Sequence, residues 1–293
     1  MENYKNINNC PICNQESFTD FLECIDYTVS KDKFNIVSCD SCGFHFTNPI
    51  PIESEIGDYY KSESYISHSS TNKGLINKIY HKVRNYTLKQ KVKLIERLSL
   101  GKNHLDIGAG TGHFINATSQ AGFNSFGLEP DEDARNLAVK SFNVNIQPLE
   151  QIHKLEDKSM DVITMWHVLE HVYELQNDLK KITSLLKENG VMIVAVPNMN
   201  SYDAKKYKEF WAAYDLPIHL YHFVPNDIRN LFGQFNMEVA EILPMKFDSY
   251  YVSMLSEKYK GGNIISAFFT GLKSNIKANS ESYSSQIYIL KKK

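Results

Sequence analysis

Three glycines and two acids in this chain stand where they could hold a nucleoside. Leu105-Asp106-Ile107-Gly108-Ala109-Gly110-Thr111-Gly112 reads as a short apolar strand entering a glycine turn, with a helix starting near His113. Glycine adopts positive φ at little cost and lets a ligand approach the main chain. Glu129 lies 21 positions after Gly108, behind the apolar Phe126-Gly127-Leu128. A carboxylate there accepts hydrogen bonds from ribose hydroxyls. Strand, glycine turn, helix, strand and acid together predict binding of an adenosine-containing cofactor. An ordinary βα turn rich in glycine is the alternative.

The glycine spacing is G-x-G-x-G rather than the G-x-G-x-x-G that cradles a pyrophosphate. With Asp106 before it, the segment resembles the first motif of class I S-adenosylmethionine-dependent methyltransferases. The resemblance continues through Ser159 to Trp166 as a fourth strand, then His167-Val168-Leu169-Glu170-His171-Val172, a helix over about Glu174 to Lys187, and an Asn189-Gly190 helix stop. Val191 to Val196, closing in Pro197-Asn198, suits a strand buried on both faces. It covers about Leu100 to Phe247, plus a last strand near Gln286 to Leu290.

The resemblance implies a Rossmann-like, doubly wound α/β sheet of seven strands and S-adenosylmethionine as cofactor. Asp106, Gly108, Ala109, Gly110, Gly112, Glu129 and Pro130 would surround the cofactor, with Asp106 attracting its ammonium. Trp166 would wall the methionine arm, beside His167. Many relatives bind adenine with an acid after the third strand. Here Pro148 and Leu149 fall in that place, so Gln147 or backbone groups around Leu149 would read the adenine edge.

Four of the five cysteines form two pairs, Cys10-Pro-Ile-Cys13 and Cys39-Asp-Ser-Cys42-Gly43, with 25 residues between them. Two C-x2-C knuckles at that separation predict a zinc ribbon, each pair offering two corners of a tetrahedron. Four thiolates leave no open position, so the Zn2+ would be structural. A disulfide framework is the alternative. Cys24 is expected to be a small buried apolar residue.

Proton transfer points to Ile218-His219-Leu220-Tyr221-His222, read as a loop past the carboxyl end of the fifth strand, where ligand crevices of open α/β sheets lie. Histidine titrates near neutrality and can accept a proton from a nucleophile. The block resembles the ribbon-bearing methyltransferases of polysaccharide biosynthesis and the nucleotide-sugar 3-C-methyltransferases. In the latter a histidine before an aromatic pair is the base. His219 falls on that position, although Ile218 stands where those enzymes carry glutamate. Tyr221, His222 and His171 are its expected supports, and the resemblance places His171 beside the reacting methyl.

Larger elements must position these groups. The expected organisation is a ribbon over residues 1–48, a helical linker or lid over 49–99, and the cofactor-binding domain over 100–293, with an insertion at about 245–280. From Lys73 to Arg97 the lid holds eight Lys or Arg against Glu96 alone, either a solvated face or a positive cover for an anionic acceptor. Ile76, Ile79, Val83, Val92 and Ile95 give it helical spacing, and Tyr59, Tyr60 and Tyr65 could line the same mouth.

Formal charge is −2 and hydrophobic content 42%, which suits an ordinary core and gives no global pull toward nucleic acid or membrane. The longest suspicious run, Ile264 to Leu272, is far too short to span a bilayer. A cytoplasmic enzyme acting on a small molecule is expected, the acceptor being a nucleotide-linked sugar, a glycan precursor or a related metabolite. Nucleic acid and membrane are not expected partners. An RNA-modifying methyltransferase and a non-catalytic cofactor-binding protein are the alternatives.

Overall fold

The computed structural model describes residues 3–60 and 75–293, with side chains from residue 82 onward in the helix that opens the second segment. Tyr65, Lys73 and the side chains of Ile76 and Ile79 lie outside the described residues. The amino-terminal part holds β1 (Tyr4–Lys5), β2 (Phe18–Ile25), β3 (Lys33–Cys39), β4 (His45–Thr47), β5 (Ile50–Pro51) and a short α1 (Ile56–Tyr59). Strands β2, β3 and β4 form an antiparallel meander. A long helix, α2 (Leu75–Leu98), follows.

The rest alternates strand and helix: β6 (Asn103–Ile107), α3 (His113–Gln120), β7 (Asn124–Leu128), α4 (Glu132–Phe142), β8 (Ile146–Gln147), β9 (Met160–Trp166), α5 (Leu175–Leu185) and β10 (Leu186–Pro197). Then come α6 (Tyr202–Tyr207), β11 (Tyr221–His222), α7 (Pro225–Gly233), β12 (Met237–Pro244), α8 (Asp248–Lys260), α9 (Ile264–Lys277) and β13 (Ser285–Lys292). Seven strands make one sheet in the order β12-β13-β10-β9-β6-β7-β8. All pairs are parallel except those of β13, which runs against both β10 and β12. The chain leaves β6 toward β7 on one side and later returns to β9 on the other. That reversal opens the crevice at the carboxyl ends of β6 and β9.

Val191 to Val196 is fully buried along β10, as a run without alternation requires for a central strand. Helix α4 is capped by Asp131, whose side chain accepts from the Ala134 amide at 2.7 Å, and ends at Asn143 with φ of 53°. One boundary departs from expectation. Helix α5 stops at Leu185, and Asn189-Gly190 is an excursion within β10, not a helix stop. Leu186 has no exposure and pairs with Met160, and the register shifts between Leu186 and Val191. Burying Leu185 and Leu186 together ends the helix early. A Cβ on Gly190 would lie 2.8 Å from the Leu186 side chain.

The amino-terminal meander, the segment expected to be a ribbon, is not a separate bead. It is completed by β11, with Tyr221 opposite Phe46 and His222 opposite His45. The Thr47 amide donates to the Leu220 carbonyl at 2.9 Å. Phe44 and Phe46, both without exposure, share one apolar cluster with Leu179, Ile182, Phe223 and Leu231. Cys24 is buried in a second cluster with Phe34, Trp211 and Tyr214. The insertion forms α8 and α9 packed against each other, at a contact where a Cβ on Gly271 would sit 2.8 Å from the Tyr250 Cα. Phe44 packs on Tyr221 and Phe223 at ring separations of 6.0 and 5.5 Å, so Phe44→Ala should cost about 3–5 kcal/mol. Urea unfolding should remain one cooperative transition. A ribbon that melts in a separate step would refute this shared core.

Candidate active site

The glycine turn divides its labour. Gly108, Gly110 and Gly112 all have positive φ, at 72°, 52° and 78°. A Cβ on Gly108 would lie 2.3 Å from a Val168 methyl, and one on Gly112 would lie 2.7 Å from the Ala138 Cβ. Packing alone therefore demands glycine at both. Gly110 has nothing within 4 Å of its added Cβ, so it faces open space and is the member left for a ligand. The Gly108 and Ala109 amides donate to the Leu128 carbonyl at 2.8 and 3.0 Å, tying the turn to β7.

Glu129 is held by backbone donors. One oxygen accepts from the Gly110 amide at 2.7 Å and the other from Asp131 at 3.0 Å. Burial pushes its pKa up, and the Asp131 and Gly110 amides oppose that. Pro130 offers its carbonyl to Arg135 at 2.6 Å. The Gln147 carbonyl accepts from the Glu129 amide at 3.0 Å, so β8 positions the acid through its backbone. Leu149 packs at the edge of the main core.

Asp106 is 2% exposed at the end of β6. Thr164 donates to it at 2.6 Å, so His104 Nε2, 2.9 Å from the same hydroxyl, must be the donor to Thr164. Burial lowers His104 to about 3. Burial raises Asp106 to about 7, with Thr164 and Lys91 opposing the rise. Lys91 reaches in from α2, 4.0 Å over the Trp166 ring, and burial lowers it to about 8. The Trp166 Nε1–H is buried and has no partner among the described residues. An unclaimed donor, a buried cation and an open Gly110 fit the polar methionine end of S-adenosylmethionine.

On the other side of β9 sits a second cluster. His167 has φ of 57° and stands between Glu170, 3.2 Å from Nδ1, and Asp248, 3.1 Å from Nε2. Burial would lower its pKa, but Asp248 and Glu170 overturn that and push it up to about 10. It is an imidazolium at neutral pH. Glu170 has no exposure, and its Oε2 lacks a hydrogen-bond partner among the described residues.

His171 and His219 meet edge to face, ring centroids 4.6 Å apart. His171 Nδ1 lies 2.9 Å from both the Ile218 carbonyl and the Tyr60 hydroxyl, and His219 Nδ1 lies 2.9 Å from the Ala213 carbonyl. The carbonyls fix each proton on Nδ1 and leave Nε2 as the lone pair. Burial lowers both pKa values, that of His219 well below 6.5. One ligand atom each from Glu170, His171 and His219 lies within 4.8 Å of the others, an arrangement able to bind a proton or a cation.

The expected support for His219 is divided. His171 joins it. Tyr221 and His222 do not lie in a loop but form β11, and both turn into the ribbon seam. The Tyr221 hydroxyl is 3.5 Å from the Tyr173 carbonyl, and His222 Nε2 is 3.1 Å from the Thr47 hydroxyl. Of the tyrosines before α2, Tyr60 reaches the site, while the Tyr59 hydroxyl meets Tyr4 at 2.8 Å. Sequence reasoning missed Lys91, His104, Thr164 and Asp248 and gave Glu170 no role. Only Lys91 had a signal, as one charge in a basic helix.

The cysteine knuckles repeat one geometry. In each, the first cysteine amide donates to the carbonyl five residues on (Cys10 to Gln15, Cys39 to Phe44), and its own carbonyl accepts from the residue four on (Asn14, Gly43). Asn14 and Gly43 both have positive φ. Cys10 and Cys42 sulfurs are 3.5 Å apart, as are those of Cys13 and Cys39. All four lie within 4.8 Å of one another. Zn–S bonds of about 2.3 Å would give tetrahedral edges of roughly 3.8 Å, so the quartet suits such an ion.

Residues 80–242, more than half of the chain, match the family model described as a methyltransferase domain. A ubiquinone biosynthesis O-methyltransferase of Pelagibacter ubique is 26% identical over 123 residues, 40% of this chain and 49% of that protein. The chain thus spans about half the length of that relative. The protein of the same name from Rickettsia typhi is 25% identical over 202 residues, 62% of this chain and 80% of the relative. Among solved structures, magnesium protoporphyrin IX methyltransferase from Synechocystis PCC 6803 with bound SAH superposes with a TM-score of 0.54 at 15% identity, covering 82% of this chain and 99% of that one. The chain belongs to the methyltransferase-domain family, and its doubly wound domain is of the S-adenosylmethionine-dependent class.

Proposed function

We propose that this protein methylates a hydroxyl of a small-molecule acceptor, with His219 as the proton acceptor. One observation carries the reading: His219 Nδ1 is committed to the Ala213 carbonyl, so its neutral Nε2 is available beside His171 and Glu170. S-adenosylmethionine, when bound, supplies an electrophilic methyl on a sulfonium. This chain's residues have three remaining tasks. Gly110, Asp106, Glu129 and the unclaimed Trp166 Nε1–H hold the donor. The packed turn and β9 fix its position relative to the acceptor, and such alignment supplies much of the rate. His219 then takes the hydroxyl proton as the new bond forms, a step typically worth about 10²–10⁴-fold. Glu170 and the His167 imidazolium set the field around that proton. The relatives' name as O-methyltransferases supports oxygen as the nucleophile. A nucleotide-linked sugar and a phenolic ring both belong to this acceptor class. We also propose that Cys10, Cys13, Cys39 and Cys42 hold a structural zinc ion.

Gly110→Ala should fold with a loss of about 1–2 kcal/mol for its left-handed backbone yet bind S-adenosylmethionine about tenfold or more weakly by calorimetry. Gly108→Ala should lose more stability, because the Val168 clash adds to the same backbone strain. Unchanged affinity in Gly110→Ala would remove the ligand from this turn.

With methyl-labelled cofactor and a panel of hydroxylated acceptors, His219→Gln should lower kcat by about 10²–10⁴-fold while cofactor affinity holds. The base works in its neutral form, and its pKa lies well below 6.5. The His219 limb of kcat/KM against pH should therefore rise only on the acid side of 6.5 and be flat at neutrality. Label confined to nuclease-sensitive polymer would point to RNA, and tight cofactor binding with no transfer to any acceptor would point to a non-catalytic protein.

Metal analysis of the purified chain should find one zinc per molecule. Cys39→Ser should lose the zinc and about 2 kcal/mol, lowering Tm by roughly 4–8 °C. Full stability after zinc removal would refute the structural role.

A further inference from the structure

Helix α9 is amphipathic the wrong way round for a helix on a globular protein. The inward face, packed on α8 and α6, carries Ala267, Thr270, Gly271 and Ser274, all small or polar and all buried. The outward face carries Ile264, Ile265, Phe268, Phe269 and Ile276, exposed by 63%, 66%, 55%, 62% and 72%. An exposed apolar stripe of this size is unfavourable in water and marks a surface with a partner.

The arrangement of charge identifies that partner. Four-residue steps run along one side of the helix as Ile264, Phe268, Leu272, Ile276, and along the adjacent side as Ile265, Phe269, Lys273, Lys277. Lys273 and Lys277 thus border the apolar stripe, with their ammonium groups 5.7 and 4.9 Å from the centre of the Tyr202 ring. From Lys258 to Ser280 there are four lysines and no acid, in a chain whose overall charge is −2. All four are exposed, and among the described residues none is within ion-pair distance of a carboxylate. A second copy of this face would bring no acid to these lysines, because the stretch carries none. A bulky apolar stripe with a cationic border matches the plane of an anionic bilayer. The run is too short to span, and no helix among the described residues is long and apolar enough to cross a membrane.

We propose that the outward face of α9 seats this protein on the surface of membranes containing anionic phospholipid, the helix lying flat with its phenylalanines among the headgroups. The buried face of α9 is linked to the active site through α8. Gly271 of α9 packs against Tyr250 of α8, and Asp248, which begins α8, contacts His167. A protein seated this way holds its site near the bilayer plane.

The test is flotation of the full chain with vesicles of phosphatidylcholine alone or with phosphatidylglycerol added. Binding should be at least about tenfold stronger to the phosphatidylglycerol vesicles and should weaken with salt. Phe268→Ser/Phe269→Ser and Lys273→Glu/Lys277→Glu should each reduce it by about tenfold or more. Unchanged circular dichroism and cofactor binding in both variants would show that the fold is kept. No flotation, equal flotation on both vesicle types, or flotation unaffected by either double variant would overturn the proposal. So would a dimer in light scattering that becomes monomeric in Phe268→Ser/Phe269→Ser while neither form binds vesicles, which would assign the face to a second copy.

Discussion

A carboxyl group with no solvent exposure, Glu170, is the constraint around which the site is organised. A buried charge must be met by opposite charge or by donors. His167 meets one oxygen, and to do so it adopts a φ of 57°, a left-handed backbone costing on the order of 1–2 kcal/mol outside glycine. The ion pair offsets that cost, because a charge-assisted hydrogen bond in a low-dielectric site is stronger than a neutral one. The second ring nitrogen of His167 then requires an acceptor, and Asp248 supplies it from the first residue of α8. The Glu170 carbonyl also accepts from the Leu220 amide at 2.7 Å, fixing the segment that carries His219. One buried acid therefore links the turn after β9, the histidine segment and the insertion helices. The insertion is wired into the site through this ion pair.

The fold was legible where the signal was local. The glycine turn, the buried run of β10 and the cysteine knuckles each lie within about ten residues, and their geometry follows from residue type. Three features were not legible, each because a distant partner decides it. Helix α5 ends at Leu185, since Leu186 is needed opposite Met160. Tyr221 and His222 read as pocket residues beside His219, but β4 recruits them as a strand, which carries their side chains into the ribbon seam. The α9 stripe is visible as a period in the sequence, but a period does not say which side is buried.

The candidate site shows the same division. Three glycines look equivalent on paper, and only the neighbours Val168 and Ala138 show that two are required by packing and Gly110 is left for a ligand. Lys91, His104 and Thr164 converge on Asp106 from α2, β6 and β9. No motif spacing brings such residues together, because the sheet order places them as neighbours. Resemblance singles out His219 as a candidate, but the carbonyl that sets its tautomer belongs to Ala213, a residue with no chemical signature of its own.

These groups together make a site built for a cation. Asp106, Glu129, Glu170 and Asp248 supply four carboxyl groups against the two cations Lys91 and His167. Burial holds Asp106 at about 7 instead of 3.8. Relative to the unfolded chain, that raised value favours folding at low pH, and the advantage is lost as pH rises through about 7. A cationic donor bound beside Asp106, as proposed, would favour the ionised carboxylate and lower its pKa. With that pKa raised by burial, part of the incoming charge would be met by proton release. The sulfonium product of methyl transfer is a neutral thioether. The sulfonium charge is lost while the ammonium stays, so Asp106 would regain part of its preference for the proton and the hold on the spent donor would weaken. The desolvation that raises Asp106 would thus give the site a preference for the charged donor over the product.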